Sequence, residues 1–352
     1  MTGKSQFRSR RHPGFCMTAS LLSGLSIAVP NMADSQVQVV ATIKPLHSLV
    51  SAVMGDAGEP FLLVENAVSS HSFTIRPSDA RKLESADVVF MIAHEVETSL
   101  VEPIQSLASE AVVVELALVD GLTRRPFRMG GEFEIDHDHH HGELEAEDDH
   151  AGHDGHDDGH DDHDGHDDEH AGHDEEHDDH DFDMHVWLDP INAIVMSHAI
   201  AATLSEVDPD NAAVYRTNAN ALQPRLEELS EEISVELSSA REIPFLVFHD
   251  GYRYFEDRYG LNIVGSAVLN HARPPGVRRV RELQAKMVDL GTRCVFSEPQ
   301  FNERIVQVII EGTPVRVGFL DPLGTDIEPG PDLYPKVLQN MAKAYKDCLA
   351  PE

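Results

Sequence analysis

SDARKLESADVVFMIA, residues 78–93, holds two patterns in succession. SDARKLESA reads as a short helix, with Ser78 as its cap just after Pro77, and DVVFMIA is a compact β-branched run. A helix delivering the chain straight into a short apolar strand is the repeating unit of a parallel α/β sheet. Working outward, similar runs stand at VQVVATI (37–43), PFLLVEN (60–66) and VVVEL (112–116). The same alternation returns later with PFLVFHD (244–250), NIVGSAVL (262–269), CVFSEP (294–299) and VRVGFLDP (315–322), each followed by a helix-like stretch. Between the two sets lies the longest helix pattern, from Asp208 to about Ala240, with Leu222, Leu226, Leu229, Ile233 and Leu237 spaced three or four apart. Pro224 should kink or break it. The fold class is therefore α/β: two halves, each with four mostly parallel strands, joined by one long helix.

A length of 352 residues, 41% of them hydrophobic, suits two domains of ordinary size. The formal charge of −35 is local, because residues 132–183 hold 25 Asp and Glu and no Lys or Arg. The rest of the chain is only mildly acidic, and because phosphate backbones are gripped by clustered Lys and Arg, a chain with this acidic balance argues against a nucleic-acid partner. At the N-terminus KSQFRSRRHP is basic, GFCMTASLLSGLSIAVP is apolar, and NMADS offers a small-residue exit. That is the form of a secretory signal peptide cleaved after Ala33, so the mature protein is expected to be exported. Cys16 lacks the context of a lipoprotein signal. Its removal leaves Cys294 and Cys348, an even pair for which a disulfide is the first reading in an oxidising compartment and two buried thiols the second.

The acidic block contains 14 histidines in residues 137–180, and its repeats of DGHDD and HAGHD mark it as low-complexity. It has too little apolar content to offset chain ordering and is expected to be disordered. Imidazole with carboxylate suits zinc, copper or nickel. Many equivalent ligands give capacity without a unique geometry, so a preorganised site should lie in the folded halves. His71 in NAVSSHSFTIRPSD follows a strand, His185 in DMHVWLDP re-enters the fold after the block, and His249 in FLVFHDGYRYF ends a strand. Glu298 and Asp321 also end strands. Ligands of open α/β sheets gather outside the carboxyl ends of strands, which makes these residues a candidate zinc site. His47, His94, His198 and His271 have no paired partner in sequence and read as structural or surface residues. Phosphate loops, HExxH and GxSxG are absent.

SHSFTIRPSDARKLESADVV, the acidic His-rich loop, MHVWLDP, VFHDGYRYFEDRYGL, CVFSEPQF and LDPLGTDI occur in one order over nearly the whole mature chain. In this the sequence resembles the periplasmic zinc-binding proteins of bacterial high-affinity zinc ABC uptake systems, the ZnuA type of metal-specific solute-binding protein. The resemblance implies two βα domains joined by a rigid long helix, with zinc(II) as the transported ligand in the cleft between them. It carries ligand roles onto His71, His185 and His249, and the disulfide onto Cys294 and Cys348. Where some relatives have a carboxylate before the first ligand His, this chain has Ser70. Asp321 is therefore the candidate fourth ligand, with a water as the alternative. Three imidazoles favour zinc over manganese, which prefers oxygen ligands.

The resulting division is a signal peptide (1–33), an N-terminal α/β domain (34–207) containing the disordered loop (130–183), a linker helix (208–240) and a C-terminal α/β domain (241–352). The implied partners are an inner-membrane zinc permease and, secondarily, periplasmic zinc chaperones; the expected state is a monomer without catalytic activity. The rival readings are a periplasmic zinc storage or buffering protein, in which the block is the function, and a zinc hydrolase.

Overall fold

All eight apolar runs become strands, and every strand pairing is parallel. In the computed structural model, which describes residues 36–65, 75–128, 182–268, 276–299, 301 and 303–350, the first sheet comprises β1 (Val39–Ala41), β2 (Phe61–Leu62), β3 (Val88–Met91) and β4 (Val112–Glu115). The second comprises β5 (Phe245–His249), β6 (Ile263–Val268), β7 (Cys294–Ser297) and β8 (Arg316–Phe319). Their orders are β2-β1-β3-β4 and β6-β5-β7-β8, the same arrangement used twice. The signal-peptide reading, His71, His271 and nearly all of the His-rich block lie outside the described residues.

Strand periodicity decides what each half buries. Val39, Ala41, Val88 and Phe90 point into a core that runs on through Phe245, Val247, Cys294 and Phe296 of the second sheet. Alternate residues turn to smaller outer layers. Val40, Val89 and Met91 meet Leu83, Leu100 and Ile104 from α2 (Pro77–Glu84) and α3 (Thr98–Leu107). Leu246, Phe248 and Val295 meet Leu283, Met287, Val306 and Ile309 from α7 (Val277–Asp289) and α8 (Glu303–Ile310).

The continuous core is filled by four helices: α1 (Lys44–Met54), α4 (Pro190–Val207), α5 (Ala212–Glu236) and α9 (Leu333–Leu349). Leu222, Leu226, Leu229 and Ile233 of α5 are all buried, as their spacing predicts. Pro224 does not interrupt the helix. It lies on the exposed face, as does Asn220, so the Asn220 carbonyl deprived of its partner there can turn to water. Polar bonds join the halves as well. Lys44 Nζ donates to the carbonyls of Gly324, Thr325 and Ile327, and Tyr334 N donates to Ser48 Oγ. Cys294 and Cys348 form a disulfide that ties β7 to α9.

The helix over 78–86 starts earlier than expected and is not capped by Ser78. Pro77 takes the first helical position, where its missing N–H costs nothing, and Asp79 Oδ2 accepts the Arg76 N–H at 3.1 Å. Among the described residues, no helix is long and apolar enough to cross a membrane.

Candidate metal centre

His249 is the last residue of β5 and shares the inward parity of Phe245 and Val247. Val247 pairs with Phe296 on β7, so two residues further along each strand His249 and Glu298 come side by side. Their contact is direct, with His249 Nδ1 3.1 Å from Glu298 Oε1. Glu298, noted in sequence only for ending a strand, is thus a buried partner that orients the ring.

His185 arrives from the other direction, on the segment that re-enters the fold after the His-rich block. Asp183 Oδ1 accepts both its backbone N–H at 2.9 Å and its ring Nδ1–H at 2.7 Å. A carboxylate only accepts when ionised, so each ring carries its proton on Nδ1 and turns the Nε2 lone pair outward. Burial alone would push the Asp183 carboxyl up and the His185 ring down. The carboxylate charge and the hydrogen bond between them reverse both, leaving Asp183 below and His185 above their ordinary values. Asp183 falls within the block boundary read from sequence, yet it is buried. Its neighbours in sequence are nearly all Asp and His, and that uniformity hides its role.

The two rings meet edge to face with centroids 5.2 Å apart. They converge over Gly251, where a Cβ would stand 2.4 Å from His249 Cε1 and 3.0 Å from His185 Nε2. No larger residue fits beneath the pair. Around them, Arg128 bridges Asp250 and Glu256, and burial pushes the Glu256 carboxyl up to about 7, with Arg128 opposing and Asp250 reinforcing. The negative charges of Asp183, Glu298 and Asp250 all bear on His185, which suits a cation.

The helix that carries Glu256, α6 (Arg253–Tyr259), holds the described chain on either side of the block at this spot. Tyr254 Oη accepts from Arg125 N at 3.1 Å and donates to Asp183 O at 2.6 Å, while Pro126 and Phe182 form an antiparallel bridge. The first described residues after the block therefore lead into His185. The MHVWLDP segment is pinned across the halves as well. Trp187 Nε1 donates to Pro322 O, and Arg258 grips Asp189 through two bonds, at 2.9 and 2.6 Å.

Of the four ligands read from sequence, His185 and His249 come together and His71 lies outside the described residues. Both oxygens of Asp321 accept bonds from the loop that follows: Leu323 N, Gly324 N and Thr325 Oγ1 to one, Thr325 N to the other. Asp321 is near enough to act on Tyr252, whose hydroxyl is raised well above its usual value, first by burial and then by the charges around it, Glu298 foremost. Tyr252 in turn lies against His249 with ring centroids 6.5 Å apart. His47 is structural as expected, its Nε2 3.0 Å from Pro60 O, and His198 meets Gln223.

Two parallel sheets of one order, packed about shared helices and bringing two oriented imidazoles together, define a two-lobed α/β protein with a candidate metal site. The chain belongs to the family of periplasmic zinc-uptake complex component A, ZnuA, whose model matches residues 39–348. It is 44% identical over 320 residues to the high-affinity zinc uptake system protein ZnuA of Brucella suis, covering 91% of this chain and 94% of that one. The protein of the same description from Paracoccus denitrificans is 36% identical over 323 residues, covering 92% and 94%. Among solved structures, a crystal structure of ZnuA superposes with a TM-score of 0.67 at 21% identity, covering 89% of this chain and 99% of that one.

Proposed function

We propose that this protein captures zinc(II) in the periplasm and delivers it to the permease of an ABC transporter. The observation that carries the reading is the pair of imidazoles at 185 and 249, each fixed through Nδ1 by its own buried carboxylate and meeting over a glycine. That is the arrangement by which proteins aim Nε2 at a metal and raise its basicity. His71 supplies the third imidazole and Asp321 or a water the fourth ligand, giving the tetrahedral set zinc prefers. If Asp321 ligates, it exchanges one of its loop bonds for the metal.

The His-rich block gathers further ions at lower affinity and passes them inward by ligand exchange, its ends being anchored beside His185. The two domains are divided at α5, residues 1–33 act as the export signal, and the protein works as a monomer that hydrolyses nothing. Periplasmic zinc chaperones are further candidate partners. A storage role would leave the two oriented imidazoles without a task.

Uptake by cells lacking their own copy of the protein tests the reading. His71→Ala and His249→Ala should each abolish growth at low zinc, whereas deletion of 137–180 should only weaken it. Growth unaffected by both single substitutions would overturn transport through this site.

A further inference from the structure

Glu95 lies in the turn after β3, and both of its carboxylate oxygens are shielded from solvent without a hydrogen-bond partner. A carboxylate so placed is costly unless something positive meets it. Its neighbour His94 brings Nδ1 to 3.5 Å from Glu95 Oε2 and to 3.0 Å from Glu115 Oε2. Glu115 ends β4 and pairs in register with Met91, so adjacent strands deliver the second carboxylate to the turn. Its Oε2 also accepts the His94 backbone N–H at 3.0 Å, which fixes the direction of approach. Among the described residues, no Lys or Arg forms an ion pair with either carboxylate.

We propose that His94, Glu95 and Glu115 form a second site for a zinc-class divalent cation, at the carboxyl rim of the first sheet and separate from the His185–His249 pair. One ligand atom from each residue lies within 4.8 Å of the other two, a spread that one ion closes by small rotations. One imidazole and two carboxylates suit zinc and leave a position for water. The three side chains are 37%, 25% and 28% exposed, against 15% and 11% for His185 and His249. The second site is therefore less enclosed than the His185–His249 pair, and its ion should exchange faster and bind more weakly. The lone-histidine reading of His94 as structural takes no account of the two glutamates, one adjacent and the other 21 residues away.

Crystals of the full chain soaked in zinc chloride, with anomalous data collected on both sides of the zinc edge, test this without interference from the block, because each peak has a position. A peak should appear among the three side chains, at about 2.0–2.2 Å from nitrogen and oxygen ligands. In Glu95→Gln crystals it should vanish while the peak between His185 and His249 remains. The variant keeps its fold, because Glu95 accepts no hydrogen bond to lose, and its unfolding midpoint without zinc should equal or exceed that of the parent. No peak at the cluster once the His185–His249 site is filled, or an undiminished peak in Glu95→Gln, would overturn the proposal.

Discussion

In the second sheet, His249 at the end of β5 and Glu298 just past β7 stand side by side, one carboxylate holding one imidazole. In the first sheet, the turn after β3 spends its buried carboxylate on the backbone: Glu97 Oε2 accepts Ile92 N at 2.6 Å and Ala93 N at 3.2 Å. The two halves share strand order and layer structure, yet among the described residues the end of β5 carries an imidazole held by a buried carboxylate, whereas the turn after β3 ties its buried carboxylate to the backbone. The same sheet can carry either arrangement, because side chains beyond the last paired residue answer to the local turn and not to the ladder.

The largest expected effect comes from the turn after β3. Burial, reinforced by the Glu115 charge and partly offset by the bonds from Ile92 N and Ala93 N, pushes Glu97 up from 4.5 to about 7. Between those values the folded state keeps a proton that the unfolded state has released. The contribution of this group to stability is thus full below about pH 4.5 and declines until pH passes about 7, a loss on the order of 3 kcal/mol. Glu97→Gln should remove that slope and leave the protein more stable than the parent at pH 8, as urea unfolding at pH 5 and pH 8 would measure. An unchanged slope would mean that the two sheets do not differ in this way.

Gly251→Val should act on the other side of the comparison. Its side chain would displace both rings, and tight zinc affinity in a competition titration should fall by at least about 100-fold, with the fold intact. Glu298→Gln keeps a hydrogen-bond partner for His249 but removes the charge, so about 10-fold is expected. If Glu298→Gln cost more than Gly251→Val, charge would matter more than ring placement, and the contrast between the halves would need redrawing.

Much of this is legible in the sequence, because β-branched runs separated by helical patterns leave few alternatives to a doubled parallel sheet. His185 and His249 are legible for a related reason: each stands at the edge of an apolar run, where a polar residue has no packing role. Pro224 misleads because sequence shows that a helix bond is lost but not that the residue faces water. Ser78 misleads because the carboxylate that caps the helix start, Asp79, is one position further on and reaches back. Asp183 lies hidden in a run of like residues, and the meeting of Glu95 with Glu115 depends on strand register, which no local pattern reports.

The central claim is that imidazoles from distant segments share one ion. X-ray absorption at the zinc edge, on the chain lacking residues 137–180 and loaded with one equivalent of zinc, addresses it most directly. The prediction is about three histidine nitrogens at 2.0–2.1 Å, falling by one in His249→Ala. A first shell dominated by oxygen, or one that His249→Ala leaves unchanged, would contradict it.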